Sequence, residues 1–159
     1  MLKAQSLHGL RVLNTRPKQQ AIPLAEAIQH AGGISINLPV LNIEPTNTIW
    51  KNTLPALEHI QHAIFTSPNA VRYFFSEVSP NTWPHTINLI ALGPGTAKAL
   101  NKQNLSPHML PKQADSEHLL ALDTLHNIQN QTILLVKGEH GRTLINTTLS
   151  ARGAHVNTP

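Results

Sequence analysis

A chain of 159 residues with 40% hydrophobic content can bury one full core, or one core and a fragment of a second, but two complete domains are not expected. Charged residues make up 13%, with net charge +4 and pI of about 9.8; Lys and Arg are scattered with no run of five or more, so a nucleic-acid stripe is not supported, whereas a small polyanion fits the charge. The lack of cysteine excludes disulfides and thiolate metal sites, no stretch approaches the ~20 apolar residues of a membrane span, and the opening ten residues lack a signal peptide's apolar centre, so the expected location is the cytoplasm.

The first predicted element is a strand over Arg11–Asn14, followed by the turn Thr15-Arg16-Pro17 and a helix over about Gln19–Ala31 that stops at Gly32-Gly33. Pro23 is placed near the first turn of that helix, where its missing N–H matters least. Ile34–Ile43 reads as the next strand, and a strand–helix–strand unit of this kind implies a parallel pair with a helical crossover. A short helix over Leu54–Gln61 leads to a third strand at Ala63–Phe65. Ser67-Pro68-Asn69 then opens a helix through Phe75, with Ser67 as cap and Pro68 as first helical residue. Asn88–Leu92 is a strand, Gly93-Pro94-Gly95 a turn, and Thr96–Asn101 starts a helix. Ser106–Pro111 is a short strand or extended piece, and Ser116–Leu125 a helix capped by Ser116. The continuous apolar run Ile133–Val136 has the pattern of a strand covered on both faces; an amphipathic helix and the start of another strand follow it. Alternation of strands with helices gives a parallel α/β sheet, flavodoxin-like, with helices on both faces.

Three strand-to-helix corners stand out: Thr66-Ser67, Gly93–Thr96 and Lys137–Arg142. Each follows an apolar strand, so all three are expected along the carboxyl edge of the sheet, where ligands gather in open α/β folds. At the last corner two glycines can turn backbone N–H groups outward, the next helix start adds donors, and Lys137 and Arg142 add positive charge, which together suit an anion. Thr66 and Ser67 offer hydroxyls that can bond a carboxylate, although Ser at this place is more often a simple helix cap. Gly93-Pro94-Gly95-Thr96 lacks the Lys-Ser/Thr ending of a P-loop and the third glycine of a dinucleotide fingerprint. Ten histidines are present, and His59 with His62 could share a face, but no third ligand is placed by the sequence, so no metal is expected. Acid–base pairs and a Ser–His–Asp order are equally hard to find among the eight acidic residues.

Four segments, Val12–Pro17, Ile64–Val71, Leu89–Leu100 and Thr132–Val156, resemble in order and spacing those of the uroporphyrinogen-III synthases. That resemblance implies two flavodoxin-like domains, one of them discontinuous, with the active site between them. On that template residues 1–42 are the opening strand–helix–strand of domain 1, and 43–159 are nearly all of domain 2. The sequence stops at Pro159 on the return to domain 1, and the family's cleft tyrosine falls beyond it, so a partial chain is implied; Tyr73 lies on a different helix and is not its equivalent.

The resemblance further implies a cyclising lyase of haem biosynthesis that converts hydroxymethylbilane to uroporphyrinogen III with inversion of ring D and loss of water, without metal or organic cofactor, in a chain expected to be monomeric and free of nucleic-acid or membrane partners. The implied substrate-binding residues are Thr15, Arg16, Thr66, Ser67, Gly93, Thr96, Lys137, Gly138 and Arg142; no catalytic group is identified. The substrate's carboxylates account for a cleft of backbone donors, hydroxyls and modest positive charge. The alternative is a non-catalytic flavodoxin-like domain that binds a carboxylated or phosphorylated metabolite.

Overall fold

The computed structural model describes residues 6–46, 48–139 and 141–159. The chain divides into two compact units, Met1–Pro45 and Thr46–Pro159. The division falls three residues beyond the boundary drawn from the sequence.

In the first unit, β1 (Arg11–Asn14) and β2 (Ile34–Asn37) pair in parallel, and the helix α1 (Lys18–His30) crosses between them. Ala21, Ala25 and Ile28 form the buried stripe of α1. The helix ends where Gly32 takes φ +78, a conformation that favours glycine. Pro23 lies in the helix interior rather than its first turn, so one intrahelical bond is missing. The expected strand Ile34–Ile43 stops at Asn37 for two reasons: β1 turns away at Pro17, removing the partner, and Pro39 cannot donate to a ladder. Leu13, Ile34 and Ile36 share one face of this pair by register and alternation, and all three are exposed. Two strands and one helix leave much of their apolar surface in water, as such a small unit must.

The second unit is a four-stranded parallel sheet, β3 (His62–Phe65), β4 (Asn88–Ala91), β5 (Thr132–Val136) and β6 (His155–Asn157), in the spatial order β4-β3-β5-β6. Counted from its own first strand the order is 2-1-3-4, the beginning of the flavodoxin-type order. Met109 adds a single parallel bridge to Ile90 outside β4. Strand alternation divides the core into two layers. Ala63, Phe65, Leu89, Ala91, Leu134 and Val136 pack in one cluster with Val71, Phe74 and Phe75 of α2 (Pro68–Phe75) and Leu100 of α3 (Pro94–Asn101). Ile64, Ile90, Ile133 and Leu135 point the other way, to Leu119 of α4 (Ser116–Leu120) and to Ile145 and Leu149 of α5 (Leu144–Ala151). Both faces of the strands are therefore dry, which is why their sequences are unbroken apolar runs.

Three expected elements take other forms. The helix expected over Leu54–Gln61 is replaced by 3-10 turns at Thr48–Thr53 and Leu57–His59, because Pro55 biases Leu54 away from the helical region. The helix expected over Ser116–Leu125 ends at Leu120; Leu122 is extended before a 3-10 turn at Asp123–Leu125. Arg152 compensates for that break by donating from Nη1 to the carbonyls of Leu120 and Leu125, both at 2.8 Å. Gly93-Pro94-Gly95 is not a free turn: Gly93 is the N-cap and α3 begins at Pro94.

His62 is a buried polar residue at the start of β3. Its Nε2 lies 2.9 Å from Oε1 of Gln131. The amide oxygen can only accept, so Nε2 carries the proton and the buried Nδ1 has no partner among the described residues. Burial lowers the imidazole pKa below its ordinary 6.5, against the smaller raising effect of Gln131. An unfolded chain therefore takes up a proton near 6.5 that the folded chain resists, so stability is full above that pH and falls as pH drops toward the folded pKa. Thermal melts at about pH 8 and about pH 5.5 are expected to show a larger loss for the native protein than for His62→Gln; equal losses would assign the pH dependence to other groups.

Candidate functional site

All strands of the second unit run parallel, so the segments leaving β3, β4 and β5 emerge at one edge. Two backbone bonds knit these exits together: Thr66 N–H donates to Val136 O at 3.1 Å, and Leu92 N–H to Phe65 O at 3.0 Å. Between them lies a cleft of about 320 Å³, walled by Thr66 and Leu92, by the segment Ala114–Ser116, and by Lys137, Gly138, Gly141, Arg142 and Ile145.

The hydroxyls of the first corner have distinct roles. Ser67 Oγ accepts the N–H of Ala70 at 3.1 Å, so the capping geometry is realised. A cap of this kind uses a lone pair and leaves the hydroxyl proton for another acceptor. Thr66 Oγ1 donates instead to the Val136 carbonyl at 3.3 Å, and must rotate to serve a ligand.

At the second corner Gly93 has a packing role. A Cβ built on it would stand 2.7 Å from Cβ of Ala114, so the glycine lets the 114–116 segment close on the start of α3. Thr96, expected to offer its side chain, is only 3% exposed; the first turn of α3 can present its backbone N–H groups but not that hydroxyl. Pro94 has no N–H, which leaves Gly95 and Thr96 as the first donors.

The third corner is partly self-bonded. Gly141 N–H donates to Gly138 O at 2.9 Å, so this glycine's donor faces its own loop rather than outward as expected. Lys137 Nζ spans the same turn, donating to Gly138 O at 3.3 Å and Gly141 O at 3.4 Å. His140 lies outside the described residues. Thr143 precedes α5 without capping it through its side chain, and Ile145 of the first turn lines the cleft. The Arg142 guanidinium reaches across to Glu117, Nη1 to Oε1 3.7 Å, with both side chains largely exposed. An exposed pair at that distance contributes little to stability and leaves Arg142 available to an anion.

The fourth wall was not anticipated from the sequence. Asp115, rather than Ser116, caps α4: its Oδ1 accepts the backbone N–H of His118 at 2.8 Å, and its two carboxylate oxygens stand 2.7 and 2.9 Å from His118 Nδ1. The backbone N–H of His118 first, then its ring, hold the Asp115 carboxyl below its usual range, with the charge of Arg142 adding to the effect. Met109 pairs in parallel with β4, so the chain leaving it also emerges at the carboxyl edge and Leu110–Asp115 forms a further corner. The sequence of Ser106–Pro111 predicts a short strand or extended piece but carries no signal of the sheet edge at which its end emerges.

Thr66, Lys137, Gly138 and Arg142 thus meet in one cleft, where Ser67 follows Thr66 in sequence and Gly93 follows the lining residue Leu92. Thr15 and Arg16 belong to the first unit, exposed at the carboxyl end of β1. There the buried Asn14 shapes the corner, donating from Nδ2 to Ala21 O at 2.9 Å and accepting Arg16 N–H on Oδ1 at 3.3 Å.

The family model described as uroporphyrinogen-III synthase HemD matches residues 22–158. The chain belongs to the uroporphyrinogen-III synthase family. It is 32% identical over 154 residues to the uroporphyrinogen-III synthase of Proteus mirabilis, covering 92% of this chain and 76% of that protein. To the synthase of Chlorobaculum parvum it is 33% identical over 132 residues, 80% of this chain and 52% of the relative; to that of Escherichia coli, 30% over 152 residues, 92% and 62%. The crystal structure of a mutant uroporphyrinogen III synthase from Thermus thermophilus superposes with a TM-score of 0.70 at 18% identity, over 95% of this chain and 61% of that one. At that identity the superposition speaks for the fold. The chain spans between half and three quarters of the length of these curated relatives.

Proposed function

We propose that this chain supplies the second-domain wall of a uroporphyrinogen-III synthase, which cyclises hydroxymethylbilane to uroporphyrinogen III with loss of water and inversion of ring D. The observation that carries the reading is the cleft itself, in a chain of this family: backbone donors, a hydroxyl proton on Ser67, and the charges of Lys137 and Arg142 gather at one sheet edge. A polycarboxylate is the ligand such a set favours. In this reading Thr66, Ser67, Lys137, Gly138 and Arg142 contact substrate carboxylates, Gly93 and Thr96 act through the backbone at the start of α3, and Thr15 and Arg16 contribute from the first unit, taken as the opening piece of a discontinuous domain. Hydroxyl loss leaves an azafulvene with its own reactivity, so the protein's task is to hold the bilane in the geometry that favours attack at the substituted carbon of ring D. That task needs no metal or organic cofactor. The reading also includes a cytoplasmic, monomeric protein without nucleic-acid partners.

The test is isomer analysis. The intact gene product supplied with hydroxymethylbilane is expected to give uroporphyrinogen III in clear excess over the uninverted isomer that forms spontaneously. Formation of the uninverted isomer alone, at the spontaneous rate, would overturn the reading in favour of a binding domain.

A further inference from the structure

Asp115 is the one carboxylate among the described residues that line the cleft, and it sits in a wall otherwise suited to anions. Its position looks unfavourable for a ligand with eight carboxylates unless it meets a different part of that ligand. The bilane also carries four pyrrolic N–H groups, which are donors and need acceptors when water is excluded. The capping geometry leaves acceptor capacity for this. Oδ1 takes the backbone N–H of His118 at 2.8 Å, while among the described residues Oδ2 meets only the imidazole, at 2.9 Å. An ionised carboxylate offers about four lone-pair sites, so Oδ2 retains room for a further donor. The backbone N–H of His118, then its ring, with the charge of Arg142 adding to them, hold the Asp115 carboxyl below its usual range, so an anionic group stands in a cleft that Lys137 and Arg142 also line.

Building on the proposed synthase activity, we infer that Asp115 accepts the pyrrolic N–H groups of the bilane and stands as counter-charge to the cation formed when the hydroxyl departs. In that step the C–O bond of the hydroxymethyl group breaks with both electrons passing to oxygen, which takes a proton from solvent and leaves as water. The pyrrole nitrogen lone pair closes the exocyclic C=C bond, and the positive charge comes to rest on that nitrogen, whose N–H is held by Asp115. Attack by the substituted carbon of ring D forms a new C–C bond and returns the electron pair to nitrogen; the bond from that carbon to the ring C methylene then breaks, its electron pair restoring ring D, and the methylene re-bonds to the free α carbon of ring D, which inverts the ring and leaves that carbon with a proton to lose. The proton later lost from ring D goes to solvent, so the net change is loss of one water. A carboxylate fixed beside the nitrogen stabilises the charged state more than the neutral bilane, which is the condition for raising rate and not merely affinity.

Asp115→Asn separates this role from capping. Asn caps helices as well as Asp, and its oxygen can keep the His118 N–H, but an NH2 replaces Oδ2. The expected result is a loss in kcat of about tenfold or more with an unchanged melting temperature. Asp115→Ser, a second capping residue without charge, is expected to behave alike should the Asn variant misfold. Binding supplies an independent readout. Uroporphyrinogen III presents four pyrrolic N–H donors, uroporphyrin III has two N–H and two bare nitrogens, and the carboxylates are the same. The native protein is expected to prefer the uroporphyrinogen, and the variants to lose most of that preference. Variants that keep native kcat and native preference would overturn the assignment while leaving the synthase reading intact. A native protein that forms no type III isomer and binds neither compound would overturn both.

Discussion

Phe65→Ala is expected to remove a large share of the stability of the second unit. Phe65 is fully buried at the end of β3. Its ring stands 5.5 Å from those of Phe74 and Phe75 and 6.3 Å from that of Trp83, while Phe74 continues the stack to Trp50 at 5.4 Å. Truncating a buried Phe costs about 3–5 kcal/mol in transfer and cavity terms, against about 5–15 kcal/mol for a whole domain. Collapse around the cavity is restricted here, since Leu134 and Val136 on the neighbouring strand are held by the ladder. Chemical denaturation read by Trp fluorescence and by circular dichroism checks the result. A loss below about 1 kcal/mol would show that the aromatic cluster repacks freely, against the expectation for a close-packed core.

The fold was legible where the physics is local and continuous. β3 and β5 are apolar runs covered on both faces, and each was located to within a residue, as were the caps and starts of α2. The parallel order followed from alternation of elements. Legibility failed where proline or tertiary bonds decide the outcome. Pro55 divides a segment whose composition suits a helix, and the break after Leu120 is tolerable only because Arg152, distant in sequence, satisfies the carbonyls of Leu120 and Leu125. No local signal in 116–125 announces that partner. The cleft was half legible for the same reason. Glycine and hydroxyl residues after strong strands marked three corners, but Asp115 follows a piece joined to the sheet by one bridge at Met109, too short to leave a pattern. An Asp three residues before His118 is the signature of a cap and could have been noticed as one. Its place beside Lys137 and Arg142 comes from the sheet order, which brings β4 and β5 to either side of β3.

Gly93→Ala is expected to damage both fold and site, and a second change is expected to repair it. The backbone of Gly93 is extended, so no conformational strain is involved; the requirement is room. The added Cβ would meet Cβ of Ala114 at 2.7 Å, whereas the Ala114 Cα lies at 3.9 Å. Neither alanine has a rotamer by which to retreat, so the 114–116 segment must move away from α3, and overpacking of this sort costs about 1–3 kcal/mol. Asp115 and Ser116 move with it, since both belong to that segment and line the cleft. In the intact gene product the single variant should therefore show a lower melting temperature together with reduced formation of the type III isomer. Gly93→Ala combined with Ala114→Gly removes one of the two clashing methyl groups, leaving the new Cβ at ordinary contact distance from the Cα. Recovery of stability and turnover in the double variant, set against the sum of the two single changes, measures the coupling between the sites. Independent, additive losses would show that Gly93 is required for some reason other than the close approach of Ala114.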